Sequence, residues 1–214
     1  MNPFTLHGRP GWGSSIIELQ LVWYGLPFRV EDSGDLFDSA VARDKLRPLN
    51  PLTQVPVLVL PDGQVMTESA AITLHLADLT ERDDLVPSAA ANERAAFLRW
   101  LVFIVANIYP TFTYADDPKR FVKTEGASDG FRAEVDAYAR RLWGIVEGAT
   151  GAPWFLGERF SALDLYLAAM THWRPGSKWF TENAPRVWSV GQKAGALERL
   201  AAVMERNFPQ RKPD

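Results

Sequence analysis

The sequence predicts two domains of different class, an α/β domain followed by an all-helical one. Strand and helix signals alternate up to residue 79, and after a charged segment only helical periodicity recurs. A chain of 214 residues is long enough for two small domains. We expect the α/β domain at residues 1–79 with element order βαβαββα, a linker at 80–87 and the helical domain at 88–214.

Short apolar runs separated by glycine and proline define the elements of the α/β half. The predicted strands are residues 4–7, 28–31, 57–60 and 64–67, and predicted helices follow near residues 16, 38 and 69. Asp62-Gly63, a dipeptide typical of hairpins, joins the last two strands. Ser14 or Ser15 stands where the N-cap of the first helix belongs, because its hydroxyl can accept a bond from a free helix N–H.

Apolar residues that recur every three or four positions define the helices of the second half. These stretches are residues 97–108, 131–145 and 197–204. The first is apolar on most sides in its middle, so we expect it to be buried on more than one face. Ser161 and Asp164 have the spacing of a capping box, which predicts another helix start. Residues 206–214 are polar with two prolines, and we expect them to form a loose tail.

Composition and charge exclude several classes of protein. With 23 basic and 26 acidic residues, the net charge of -3 argues against a nucleic-acid partner. No uninterrupted apolar run reaches about 18 residues and no signal peptide is evident, so we expect a cytoplasmic protein without a membrane partner. The absence of cysteine excludes disulfides, thiolate ligands and cysteine nucleophiles. Three scattered histidines make a metal site unexpected.

The most specific motifs are residues 50–58, NPLTQVPVL, and residues 68–72, ESAAI. In this order, after βαβα and before a helical half, they resemble the glutathione transferase superfamily, whose N-terminal domain has the thioredoxin fold. The resemblance covers nearly the whole chain. It is supported by the chemistry of the residues themselves, because an X-Pro bond tolerates the cis form and can turn the chain into a strand with an exposed backbone edge.

The same motifs offer groups that suit glutathione. Ser69 at a helix N-terminus presents a hydroxyl, N–H groups and the positive dipole end to a carboxylate, and Glu68 offers an anion to an ammonium group. The γ-glutamyl end of glutathione carries both groups on one carbon. The resemblance implies that Pro56 is cis and that the backbone of Val55 pairs with the cysteinyl part. The glutathione-binding residues that we expect are Arg9, Gln54, Val55, Pro56, Glu68 and Ser69. A simpler interpretation, compatible with this one, is that Ser69 caps its helix.

In this superfamily the residue that hydrogen-bonds the glutathione sulfur is a Tyr, Ser or Cys, which the resemblance places within residues 9–15. Cysteine is absent and no tyrosine precedes Tyr24, so Ser14 and Ser15 are the candidates. We expect Ser14 first, because it follows a glycine-rich segment, whereas Ser15 lies nearer the apolar run and is the more natural cap. Two alternatives stay open: the serines only cap the helix, or backbone N–H groups meet the sulfur.

The resemblance also implies a hydrophobic substrate pocket, for which the candidates are Trp12, Tyr109, Phe112 and Tyr114. We therefore expect a homodimeric detoxification enzyme that transfers glutathione, its co-substrate, as the thiolate to a small hydrophobic electrophile. A glutathione-dependent isomerase or peroxidase on the same site is one alternative. A non-catalytic glutathione-binding or structural member is another, although such a protein has no need of the binding motifs above.

Overall fold

The first part of the chain forms a four-stranded sheet with three helices. The computed structural model describes residues 2–209. Its first elements are β1 (Phe4–Gly8), α1 (Ser14–Tyr24), β2 (Phe28–Asp32), α2 (Ala40–Leu46), β3 (Val57–Val59), β4 (Val65–Met66) and α3 (Ser69–Thr80). This order is βαβαββα, so the predicted thioredoxin-like α/β domain is confirmed.

The sheet has the strand order β2-β1-β3-β4. β1 and β2 are parallel because α1 carries the chain back across the sheet, whereas the short turn at Gly63 makes β3 and β4 antiparallel. Gly63 has a φ of 92°, which favours glycine. Helices α1 and α3 pack against each other, and the buried Gln20 side chain of α1 donates to Thr73 Oγ1 of α3 at 2.9 Å.

The second part of the chain is helical, as predicted. Its elements are α4 (Arg94–Phe103), a π-helical turn (Ile104–Ile108), α5 (Tyr109–Asp116), α6 (Ser128–Ala149), α7 (Ala162–Met170), α8 (Ser177–Asn183), α9 (Pro185–Gly195) and α10 (Ala201–Asn207), with 3-10 turns at Pro118–Arg120 and Glu198–Leu200. The predicted capping box is present at α7. The Asp164 carboxylate accepts N–H bonds from Ser161 and Phe155, both at 2.7 Å, and burial raises its pKa to about 6.

The first long helical run is longer than the sequence pattern indicated. It extends over Arg94–Asp116 and is long and apolar enough to cross a bilayer, by length and composition alone. The core helix of a globular domain passes the same test, and Phe97, Leu101, Ile104 and Ile108 of this run are fully buried. The run is therefore weak evidence for a membrane span, and the absence of a membrane partner stays a prediction.

The described residues divide into two compact units. One runs to Val86 and includes the segment from Lys193 onward, and the other is Pro87–Gln192. Arg206 and Asn207 lie in α10, so the expected loose tail is wrong for these residues, while residues 210–214 lie outside the described part. Asn207 is buried because its side chain has hydrogen-bond partners in the first unit. The domain limits predicted from the sequence stay a prediction.

Candidate functional site

Several segments of the first unit meet at one edge of its sheet. The antiparallel registers, continued two residues beyond the last pairs, place Val55 at the level of Arg9 and Pro56 at the level of Glu68. Helix α1 begins beyond this same end of β1, and α3 begins directly after β4. Two helix N-termini therefore lie at this edge. Their free N–H groups and positive partial charge favour an anion.

The entry to β3 is held in place by a buried asparagine. The Val55-Pro56 peptide bond is cis, as predicted. Asn50 Nδ2 donates to the carbonyl oxygen of Gln54 at 2.9 Å, and Asn50 Oδ1 accepts the N–H of Leu52 at 3.1 Å. Val55 is half-buried against a hydrophobic cluster beneath α2, formed by Leu36, Leu46 and Val57. Asn50 is the first residue of the motif at 50–58, but only the structure shows that its side chain braces the turn.

Glu68 and Ser69 form the turn into α3. Glu68 has a φ of 65°, in a region that costs a non-glycine residue about 1–3 kcal/mol and that is concentrated at functional sites. Glu68 is itself the N-cap and makes no side-chain cap bond, so the interpretation of Ser69 as the cap is wrong. Ser69 is the first helical residue, 8% exposed, and within the described chain its hydroxyl has no hydrogen-bond partner.

Neither of the two candidate serines caps α1 as predicted. The N-cap of α1 is Gly13, without a side-chain bond, so the predicted serine cap is wrong. Instead, Ser14 Oγ turns back to Arg9, accepting its N–H at 3.1 Å and donating to its carbonyl oxygen at 3.2 Å. Ser15 is fully buried. The N–H groups of Gly13 and Ser14 donate to no described residue outside α1. Whether either serine meets the sulfur stays a prediction.

Arg9 and Trp12 contact the segment that leads into α2. Arg9 pairs with Asp35 at 3.8 Å and lies over the Trp12 ring, 5.8 Å from its centroid. Backbone N–H groups of Asp38 and Phe37 hold the pKa of Asp35 below its usual value. The Trp12 ring lies 5.0 Å from that of Phe37 and packs on the cluster beneath α2. Trp12 thus has a packing role, and its place in a substrate pocket stays a prediction.

The three aromatic candidates in the second unit fall into two environments. Tyr109 and Phe112 pack edge-to-face with Trp173, at centroid distances of 5.9 Å and 5.4 Å. Tyr114, in contrast, is 41% exposed and lines a cavity of about 370 Å³ that it shares with Tyr138 of α6. Tyr109 and Phe112 are not among the residues that line this cavity. Their assignment to a substrate pocket stays a prediction.

Metal-binding groups are scattered in the described chain. Within residues 2–209, no three His, Asp or Glu side chains are close enough together to hold a metal ion. His7 and His172 are partly buried, and burial lowers the pKa of each. The expectation that no metal is needed stays a prediction.

A buried polar network beside the start of α1 was not predicted. Asn207 Oδ1 accepts the N–H of Gly11 at 3.1 Å, and Asn207 Nδ2 donates to Glu18 at 2.8 Å. Glu18 is 4% exposed and pairs with Arg206. These side chains and Ser14 border a cavity of about 330 Å³. The available signal was Glu18 itself, because a carboxylate within an apolar helical run needs a partner when it is buried.

The fold and the site together indicate the class of protein to which this chain belongs. A thioredoxin-like sheet with a cis-proline at the entry to β3, a Glu-Ser pair at the start of α3 and a helical second part are the architecture of glutathione transferases. The family model described as the N-terminal domain of glutathione S-transferase matches residues 14–79. The uncharacterised GST-like protein YncG of Escherichia coli K12 is 38% identical over 203 residues, which is 94% of this chain and 97% of YncG. The chain therefore belongs to the glutathione S-transferase family, as its resemblance predicted.

Other relatives are more distant. Glutathione S-transferase GST-4.5 of Xanthomonas campestris is 29% identical over 171 residues, which is 78% of this chain and 81% of GST-4.5. The crystal structure of a glutathione transferase from Methylococcus capsulatus is 29% identical, with a TM-score of 0.73, covering 94% of this chain and 97% of that one. A homolog from Sulfitobacter with bound glutathione has a TM-score of 0.82 over 96% and 98% of the two chains. At 22% identity, that homolog supports the fold alone.

Proposed function

We propose that this protein transfers the thiolate of glutathione to a small hydrophobic electrophile. The observation that carries the proposal is the pair Glu68 and Ser69 beside Val55-Pro56, at a sheet edge with two helix N-termini. Ser69 and the N–H groups of α3 suit the γ-glutamyl carboxylate, and the exposed Glu68 suits its ammonium group. Within residues 2–209 the backbone of Val55 has no hydrogen-bond partner, which suits pairing with the cysteinyl part of the tripeptide.

The chemistry requires that the thiol be ionised near neutral pH. A free thiol has a pKa of about 8.5, and a helix N-terminus lowers it. The described chain has no cysteine, and Ser14 already donates its hydroxyl proton to Arg9. We therefore assign the contact with sulfur to the backbone N–H groups of Gly13 and Ser14, with the Ser14 side chain holding the loop in place.

Calorimetric titration with glutathione tests the binding site. Loss of a hydrogen bond to a charged group costs about 1.5–3 kcal/mol, so Ser69→Ala should weaken binding about ten- to a hundredfold. Ser128→Ala is the matched control, because Ser128 is likewise the first residue of a helix, α6, but lies in the second unit. Unchanged affinity in Ser69→Ala would contradict the proposed site.

Product analysis then distinguishes the reactions that this site permits. Incubation with glutathione and an aryl halide should yield the thioether conjugate, in which the sulfur–carbon bond replaces the carbon–halogen bond. Incubation with an organic hydroperoxide yields oxidised glutathione if the protein is a peroxidase. Tight binding of glutathione without turnover of either compound would favour the non-catalytic alternative.

We also propose that the protein acts as a cytoplasmic homodimer. The exposed apolar side chains on the long helices of the second unit include Val102 at 56%, Tyr138 at 43% and Ile145 at 43%. Burial of such a surface against a second copy removes it from water. Light scattering should therefore give about twice the chain mass of 23.9 kDa. A monomeric mass at micromolar concentration would contradict the dimer.

A further inference from the structure

We propose that Asn207, in the last described helix, positions the loop before α1 so that its N–H groups meet the glutathione thiol. This inference rests on the proposed function. Asn207 is 196 residues from Gly11 in sequence, yet its side chain accepts the Gly11 N–H at 3.1 Å. Within the described residues, the Asn207 side chain makes no hydrogen bond to the residues assigned to glutathione by sequence, so we treat it as a positioning residue.

The side chain of Asn207 has three hydrogen bonds and is 6% exposed. Its Oδ1 accepts from Gly11, and its Nδ2 donates to Glu18 Oε2 at 2.8 Å and to the carbonyl oxygen of Val203 at 2.9 Å. The amide therefore links the loop, the second turn of α1 and its own helix. Because the bonds run in both directions, neither an aspartate nor a leucine at position 207 can by itself make all three.

The backbone contact between the loop and α10 is equally close. A Cβ built on Gly11 would lie 3.1 Å from the carbonyl oxygen of Asn207, and Gly11 has a φ of 77°. On the other side, the hydroxyl of Ser14 bonds the backbone of Arg9. The loop is thus fixed at both ends, by Ser14 from within and by Asn207 from the C-terminal helix.

Asn207 and Arg206 also compensate a charge that would otherwise oppose the reaction. Glu18 lies about one turn beyond Ser14 in α1, and its carboxylate is buried. An uncompensated anion at this position raises the pKa of a thiol at the same helix end. Arg206 pairs with Glu18 Oε1 and Asn207 donates to Oε2, so both oxygens face a donor. Among the described residues that line the adjoining cavity, the remaining charged side chain is Arg9, which pairs with Asp35.

The first test is Asn207→Ala in the full chain, with the ultraviolet absorbance of the bound thiolate followed against pH. We expect the pKa of bound glutathione to rise by about one unit, which lowers the thiolate fraction below that pKa about tenfold. The kcat should fall by the same factor near neutral pH and recover at high pH. Affinity for S-methylglutathione, which has no thiol to ionise, should stay unchanged because the γ-glutamyl contacts are intact.

A double variant that exchanges the amide of position 207 with the carboxylate of position 18 tests whether the thiol pKa can be restored. Asn207→Asp retains the acceptor for Gly11 but places two carboxylates against each other, so it should also raise the thiol pKa. Adding Glu18→Gln restores a donor–acceptor pair, in which the amide at position 18 donates to the carboxylate at position 207. The double variant should return the thiol pKa most of the way to the wild-type value, because only the bond to the Val203 carbonyl oxygen is not restored. It also carries the test if Asn207→Ala fails to fold.

Asn183→Ala is the matched control. Asn183 ends α8, which like α10 has seven residues, and its Nδ2 donates to Trp179 O at 3.0 Å as Asn207 does to Val203 O. It should leave the thiol pKa unchanged. If Asn207→Ala lowers stability but leaves the thiol pKa at the wild-type value, or if the double variant restores stability alone, the positioning role is refuted. If the wild type binds no glutathione, the proposed function itself fails.

Discussion

Gly8→Ala tests how tightly the end of β1 holds the start of α1. A Cβ at position 8 would lie 2.2 Å from both the Cβ and the Oγ of Ser14. Ordinary contact begins near 3.4 Å, so one of the two residues has to move by more than 1 Å. Ser14 cannot rotate away without breaking its two bonds to Arg9. Gly8 itself does not have a positive φ, so the strain comes from this contact and not from the backbone.

The expected loss is large for a single methyl group. Overpacking costs about 1–3 kcal/mol. Each broken Ser14–Arg9 hydrogen bond adds about 0.5–1.5 kcal/mol. With two such bonds at stake, we expect Gly8→Ala to lower the free energy of unfolding by about 2–6 kcal/mol, a large part of the stability of an ordinary domain.

Urea unfolding of a double-mutant cycle measures this contact. Ser14→Gly removes both clashing atoms and leaves Ser14 Cα as the nearest, at 3.7 Å from the new methyl group. In that background Gly8→Ala should therefore cost little, and the coupling energy should exceed about 1 kcal/mol. Gly144→Ala, mid-helix in α6 with no atom within 4 Å, is the control and should stabilise by about 0.5–1 kcal/mol. Equal costs of Gly8→Ala in both backgrounds would refute the reasoning.

Three further measurements concern stability. Because burial raises the pKa of Asp164 to about 6, the stabilisation that its protonated form provides is complete below about pH 4 and is lost as the pH rises through 6. The free energy of unfolding of wild type should therefore exceed that of Asp164→Asn by more at about pH 4 than at about pH 7. Burial lowers the pKa of His172, so acidification from about pH 7 to about pH 5 should destabilise wild type more than His172→Gln. Ser161→Ala removes a buried capping box, and Ser39→Ala removes the partly buried cap of α2. Each should lower the free energy of unfolding by about 1 kcal/mol, with the larger loss for Ser161→Ala. Equal values within each pair would contradict these assignments.

The part of the candidate site assigned to the γ-glutamyl group could be predicted, because the residues that form it are close together in sequence. The hairpin dipeptide Asp62-Gly63 determines the register of β3 and β4, and this register brings Pro56 level with Glu68. The start of α3 follows from the polar pair at Glu68-Ser69 before an apolar stripe. What the sequence did not indicate is the positive φ of Glu68, since the energy that maintains it comes from surrounding packing.

The part of the candidate site assigned to the glutathione sulfur, the loop before α1, could not be predicted, because it depends on contacts between residues distant in sequence. Hydroxyl chemistry alone makes Ser14 or Ser15 a good cap, but the structure offers Ser14 a nearer partner in the Arg9 backbone. Likewise, polarity and prolines predict a tail from residue 206, whereas Asn207 is buried because Gly11 and Glu18 bond its amide. No residue pattern in either segment specifies the other.

This difference between the two halves has a functional consequence. The carboxylate site is built from a turn and a helix start adjacent in sequence, so changes at Ser69 should act on binding and appear in KM. The loop before α1 is held by Ser14 and by Asn207, so changes there should act on ionisation of the thiol and appear in kcat. The two sets of residues share no hydrogen bond within the described chain. Ser69→Ala and Asn207→Ala should therefore have additive effects on the free energy of the transition state, as expected of independent sites.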